Sequence, residues 1–175
     1  MKKLLLFAPL VLLLATVACK KVDQLLTFYI EDTQNIQISS SFPLGQFVPL
    51  SPVTVNTKSE ESFKNNKTEA ELVKDVSLNK LTLTITDPNS ENFDFLKRIE
   101  IYISAKDQPE IKLASLEQVP MGVKSIELVS SGAKLDNYIK AESYTLTTKA
   151  EIQKPISEDI TVRADSRFKV TADPL

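Results

Sequence analysis

The side chains that most often do chemistry in proteins are scarce in this sequence. It contains no histidine. That removes the commonest general base, the usual zinc ligand and every nucleophile arrangement built on an imidazole. One cysteine, Cys19, and three glycines, Gly45, Gly122 and Gly132, leave neither a thiol pair nor a phosphate-cradling loop. Carboxylates remain. Asp94 with Glu100, or Glu158 with Asp159, could serve as an acid and base on a glycosidic bond. Asp94 falls in an expected turn, Glu100 on the polar face of an expected strand, and Glu158 and Asp159 in the loop before the last strand. Solvated charge is the simpler account of all four, and no catalytic residue and no enzyme activity are expected.

Asp87-Pro88-Asn89-Ser90-Glu91-Asn92-Phe93-Asp94 places oxygen-bearing side chains at alternate positions, and Asp87, Asn89 and Asp94 are the candidate calcium ligands. An EF-hand loop requires glycine at its sixth position and glutamate at its twelfth, where this chain has Asn92 and Arg98. The expectation is therefore no metal. The stretch reads as an inter-strand turn, opened by Asp87 and Pro88 and closed by Phe93 and Phe95 packing inward. Asn66-Lys67-Thr68 fits a glycosylation acceptor pattern but reads as loop. There is no tryptophan to make a sugar platform, and Tyr29, Tyr102, Tyr138 and Tyr144 sit in patterns that point to core or half-core packing.

The remaining reactive group is the thiol of Cys19, and its surroundings say what it is for. Lys2 and Lys3 precede an apolar run from Leu4 to Val17, followed by Ala18 and Cys19. This is the layout of a secretory leader. The run is shorter than the roughly 20 residues that cross a bilayer as a helix, and Pro9 interrupts it. Cys19 has no other cysteine with which to pair.

Thr16-Val17-Ala18-Cys19 resembles the lipobox of bacterial lipoproteins, with Thr16 standing where leucine is usual. The resemblance implies cleavage between Ala18 and Cys19, a diacylglyceryl thioether and an N-acyl chain on Cys19, and no other cofactor. Two or three acyl chains make a durable anchor, since each buried methylene contributes about 0.8 kcal/mol and one chain is marginal. Residues 1–18 are then the removed leader, 19–24 the lipidated cysteine with a short tether, and 25–175 a single domain. In Bacteroidota a lysine followed by acidic residues after the lipid cysteine resembles a surface-export signal, and here Lys20, Lys21 and Asp23 occupy that region. No aspartate stands next to Cys19, unlike the inner-membrane retention signal of enterobacteria. The resemblance thus implies lipid anchorage at the outer membrane, with the periplasmic and surface-exposed sides both open.

Loss of Lys2 and Lys3 leaves 19 basic against 23 acidic side chains, so the net charge passes from −2 to −4. Such a surface has no electrostatic footprint for nucleic acid. The pattern of the mature chain is period-two alternation. It is clearest at Leu81, Leu83 and Ile85; at Ile99, Ile101 and Ile103; from Tyr144 to Ile152; and from Ile160 to Val170. Leu25 to Ile30 is a further strand. Shorter ones are expected at Asn35 to Ile38, Phe47 to Leu50, Val53 to Thr57, Ile111 to Ala114 and Ser125 to Val129. Turn residues divide them at Asp87-Pro88-Asn89-Ser90, Lys106-Asp107-Gln108-Pro109, Pro120-Met121-Gly122 and Ser131-Gly132. Weak helical patterns cover Glu60 to Asn65, Phe93 to Lys97 and Leu135 to Ile139. Ser59 to Asp75, the most polar stretch, reads as a long exposed connection. The expected fold is all-β: an antiparallel, immunoglobulin-like β-sandwich of about eight to ten strands with at most short helical turns.

The strand and turn from Leu78 to Asn89, the Phe93-Asp94-Phe95-Leu96 segment, and Lys134-Leu135-Asp136-Asn137-Tyr138-Ile139-Lys140 resemble uncharacterised β-sandwich lipoproteins of Bacteroidota. A weaker similarity is to the sandwich of late-embryogenesis-abundant proteins. Both imply architecture and no reaction. The expected function is a lipid-anchored, noncatalytic envelope protein, an accessory or scaffold subunit that binds another envelope protein through an edge strand or the Ser59 to Asp75 segment. The alternative is a ligand- or glycan-binding module with its site between the sheets or at the loop ends.

Overall fold

The computed structural model describes residues 26–173. Strands dominate them: β1 (Thr27–Ile38), β2 (Phe47–Pro49), β3 (Val53–Asn56), β4 (Val73–Asp87), β5 (Leu96–Ala105), β6 (Gln108–Leu116), β7 (Ser125–Glu127), β8 (Val129–Ser130), β9 (Ser143–Ile152) and β10 (Ile160–Ala172). Two short helices, α1 (Ser59–Asn65) and α2 (Asp136–Ile139), and 3-10 turns at Ala70–Leu72 and Phe93–Phe95 complete the set. No helix among the described residues is long and apolar enough to cross a membrane. The leader, Ala18, Cys19 and the tether lie outside the described residues.

Two antiparallel sheets pack face to face, as expected. One runs β1-β10-β4-β7; the other runs β2-β9-β5-β6-β8, with β3 also paired to β9. The chain crosses between sheets repeatedly and its first and last strands lie side by side in one sheet, so the strand order is the double Greek key of a jelly roll and not the immunoglobulin-like wiring that was expected within the sandwich. Between the layers lies a continuous core that includes Val76, Leu83, Phe93, Ile101, Ile103, Ala150, Phe168 and Val170, all buried. Each large apolar side chain buried there contributes about 1.5–3 kcal/mol.

Several elements form where the alternation pointed, but two run longer. β1 is continuous through Glu31, Asp32, Thr33 and Gln34, where polar residues hid the pattern. β4 begins at Val73 rather than near Leu81. Its pairing with β10 skips Lys74 and Asn79, so the inward phase moves from Val73 to Val76 and from Leu78 to Leu81. These β-bulges break strict alternation while keeping the same face buried.

The Ser59 to Asp75 segment corrects an expectation. It is not an extended exposed connection, because it holds α1, the first 3-10 turn and the start of β4. Phe63 is buried and packs edge-to-face on Phe28 with ring centroids 6.2 Å apart, which ties the helix to the end of the sandwich. The three helical patterns are present as α1, the Phe93–Phe95 turn and α2, each a turn or two long. Between β5 and β6, Asp107 takes a left-handed conformation (φ 59°), which a short polar side chain tolerates in a hairpin.

Candidate functional site

The edges of the sandwich are unequal. β7, β8, β2 and β3 are two to four residues long, and the β2–β3 edge is interrupted by Pro49 and Pro52. Short strands and prolines blunt a sheet edge against further pairing. β1 has neither device. It is a twelve-residue edge strand without proline, glycine or lysine, paired on one side to β10 and to no strand on the other among the described residues.

Beside that edge the two sheets part, and β1 faces β3 across a cleft of about 570 Å³. Alternation along β1 turns Phe28, Ile30, Asp32, Gln34, Ile36 and Ile38 inward. Two polar side chains therefore stand in a row that is otherwise apolar. Their neighbours match them: Ser166, which pairs with Asp32 across to β10, is a buried polar residue, and Tyr144 reaches in from β9.

The polar groups converge on Asp32. The Tyr144 hydroxyl donates to its Oδ2 at 3.3 Å, and Gln34 Nε2 donates to Oδ1 and Oδ2 at 3.2 and 3.1 Å. Ser166 Oγ donates to the Asp32 carbonyl at 3.3 Å. Desolvation, reinforced by the negative charge of Asp32 and by the hydrogen bond between them, pushes the Tyr144 hydroxyl far above the ordinary tyrosine range. It stays protonated and acts as a donor. Ile30, Val55, Ile139 and Phe168 wall the cleft, and Lys58 is exposed at its rim. Ser59, only 1% exposed, also lines it, and its Oγ has no hydrogen-bond partner among the described residues. A carboxylate held by neutral donors above apolar walls is equipped for binding. Among the described residues no base is hydrogen-bonded to Ser59 Oγ.

The residues singled out in the sequence lie elsewhere. Asp94 Oδ1 accepts the N–H of Gly122 at 2.6 Å, while Lys154 approaches Oδ2 at 4.0 Å. The Asn89 carbonyl accepts from the Lys124 ammonium. Phe93 and Phe95 are buried, so the Asp87 to Asp94 stretch forms the turn that the sequence suggested. Among the described residues no three His, Cys, Asp or Glu side chains are grouped to hold a metal. Asp159 accepts the backbone N–H and hydroxyl of Ser40, at 2.7 and 2.9 Å, which holds its carboxyl below its usual range and pins the loop after β1.

Glu100 and Glu151 lie on the outer face of the second sheet. Glu100 accepts from Tyr102 and pairs with Lys112 at 3.0 Å. Glu151 is gripped by Lys97 and Arg98, both at 2.7 Å, and Arg98 stacks over Phe47. Both carboxylates have their charge matched locally, so Glu100 and Asp94 serve separate contacts. Of the tyrosines, Tyr138 and Tyr144 are buried, but Tyr29 is exposed beneath Arg167 on the outer face of the first sheet. Sequence reasoning missed Asp32, Gln34, Ser59 and Tyr144 as a group. The available signal was the interruption between Ile30 and Ile36, which divided one strand into two.

A second cleft, of about 500 Å³, runs along α1 past Phe63 and Thr68, but its rim mixes Glu60, Glu69 and Glu71 with Lys64 and Lys67 and converges on no single chemistry.

No protein-family model and no curated protein matches the chain. Among solved structures it is similar to desmodium yellow mottle tymovirus, with 13% identity over 85% of this chain and 84% of that one and a TM-score of 0.31. It is similar also to the BFDV capsid protein, with 11% identity over 85% and 99% of the two chains and a TM-score of 0.36. Turnip yellow mosaic virus gives 11% identity, 85% and 94% coverage and a TM-score of 0.28. Likenesses this distant carry no inference about what this chain does.

Proposed function

We propose that this protein is a lipid-anchored, noncatalytic module of the bacterial cell envelope that docks another envelope protein along β1. The observation that carries the reading is the long edge of β1, free of proline, glycine and lysine, on a sandwich whose other edges are short. A sheet edge presents a row of backbone donors and acceptors, and pairing with an extended segment satisfies them. Lys2, Lys3, the apolar run and Cys19 support outer-membrane anchorage through acyl chains, as in the lipoproteins of Bacteroidota that the sequence resembles. β1 begins eight residues beyond Cys19. Even fully extended, that spacing covers only about 28 Å at the standard rise per residue. The edge is thereby confined to the neighbourhood of the membrane, where an envelope partner is within reach.

The test places a photocrosslinking residue at Thr33 on β1 and, separately, at Glu127 on β7, in the lipidated protein expressed in its envelope. The expected result is a covalent adduct to one envelope protein from Thr33 and none from Glu127. A lone monomer from both positions would count against docking. Mass spectrometry of the same material checks the anchor: a bare Cys19 sulfur, or a retained leader, removes it.

A second reading, a ligand-binding module, is favoured by the cleft itself, since Asp32, Gln34 and Ser59 turn toward space between the sheets. No exposed aromatic ring lines that cleft, which argues against a glycan and for a compact polar ligand. A fully occupied crosslink at Thr33 with no thermal shift across small-molecule panels selects docking over this alternative.

A further inference from the structure

We infer that the segment docking on β1 inserts a lysine or arginine side chain into the cleft and pairs it with Asp32; this rests on the strand-docking reading above. The geometry of sheet extension sets the direction. A strand added to β1 would lie about 4.8 Å from it, and its alternate side chains would point between the sheets, as those of β1 do. The inward side chains of β1 beside that position are Asp32 and Gln34, flanked by Ile30 and Ile36.

The chemistry of the cleft then selects among inserted side chains. Of the two acidic residues that line it, Asp32 turns inward and Glu31 outward, and the sole basic residue lining it, Lys58, forms no ion pair with either among the described residues. Tyr144 and Gln34 meet the Asp32 carboxylate with neutral donors only. A carboxylate drawn partly out of water gains most from a cation, because charge-assisted hydrogen bonds are stronger than neutral ones. The walls made by Ile30, Val55, Ile139 and Phe168 suit the methylene stem that carries such a cation. An acidic side chain would face like charge, and an apolar one would leave the polar row unused.

The experiment uses the lipidated protein in detergent micelles and fluorescent peptides that alternate threonine and valine around one central residue. The central residue is Lys, Arg, Met or Glu. Lys and Arg peptides are expected to bind about tenfold tighter than Met or Glu peptides. Asp32→Asn should abolish that preference while leaving the affinity for the Met peptide in place. Glu31→Gln, on the outward face, should change the preference by less than about fivefold, as for an exposed charge. Hydrogen exchange of the β1 amides reports strand addition separately. If peptides slow exchange in β1 but the Met peptide binds as tightly as the Lys peptide, or Asp32→Asn keeps the preference, the cation inference is overturned and strand docking stands. If no peptide slows exchange in β1, both fall.

Discussion

Replacing Asp32 and Tyr144 together by apolar residues should make the fold more stable and the protein unable to recognise its cationic segment. The magnitudes follow from the cleft. Asp32 is half-buried on the inward face of β1, so Asp32→Leu gains about 1 kcal/mol, half of what full burial of a leucine contributes. That gain is outweighed in the single variant. Tyr144 is 3% exposed, and loss of its acceptor leaves the hydroxyl buried without its carboxylate partner, which costs about 1–3 kcal/mol. Asp32→Leu alone should therefore lower stability by roughly 1 kcal/mol. Tyr144→Phe alone gives up a single hydrogen bond at 3.3 Å while Asp32 keeps Gln34, a loss of about 0.5 kcal/mol. In the double variant neither partner is orphaned and the leucine gain remains, so stability should rise by about 1 kcal/mol, or about 2–4 °C at the melting midpoint for a chain of this size. The cycle thus carries a coupling of about 2.5 kcal/mol. Urea denaturation of all four proteins with unchanged slope measures it. A double variant less stable than either single one would mean that the cluster is structural cement, and the assignment of a recognition role to it would be refuted. Stability gained as recognition is lost is what a site held at the expense of the core should show.

Three further outcomes are expected. Tyr102, whose hydroxyl is raised to about 12 chiefly by its hydrogen bond to Glu100, should titrate late by phenolate absorbance, and Glu100→Gln should return it toward the ordinary value near about 10. Because the folded value lies above the unfolded one, the stability from this contact is present below about pH 10 and lost as pH rises through about 12. Glu151 behaves with the opposite sign: hydrogen bonds from Lys97 and Arg98 hold its carboxyl below the usual range, so its contribution is present above about pH 4.3 and disappears as pH falls through the lowered value. Glu151→Gln should flatten that part of the acid unfolding curve followed by circular dichroism. Phe63→Ala should cost about 3–5 kcal/mol in urea denaturation despite lying in the most polar stretch of the chain, since Phe63 is 1% exposed; a loss under about 1 kcal/mol would show that α1 is not anchored through it.

Residues near one another in the chain were enough to specify the layered β architecture. Alternation at Leu81, Leu83 and Ile85, at Ile99, Ile101 and Ile103, and through β9 and β10 demands sheets with one buried face, and turn residues divide them. The same local reading kept Asp87 to Asp94 as a turn, because glycine and glutamate are missing where a calcium loop needs them. Tertiary structure decided what local pattern cannot express. Bulges at Lys74 and Asn79 disguised the first half of β4, and Phe63 buried a helix inside a polar run. Most of all, strand order made β1 an edge, and packing brought Tyr144, 112 residues away in sequence, to the carboxylate of Asp32. A polar residue on a strand reads in sequence as facing water. Whether it instead faces a cleft depends on which strands become neighbours, and that follows from how the whole chain minimises its exposed apolar surface rather than from any short stretch of it.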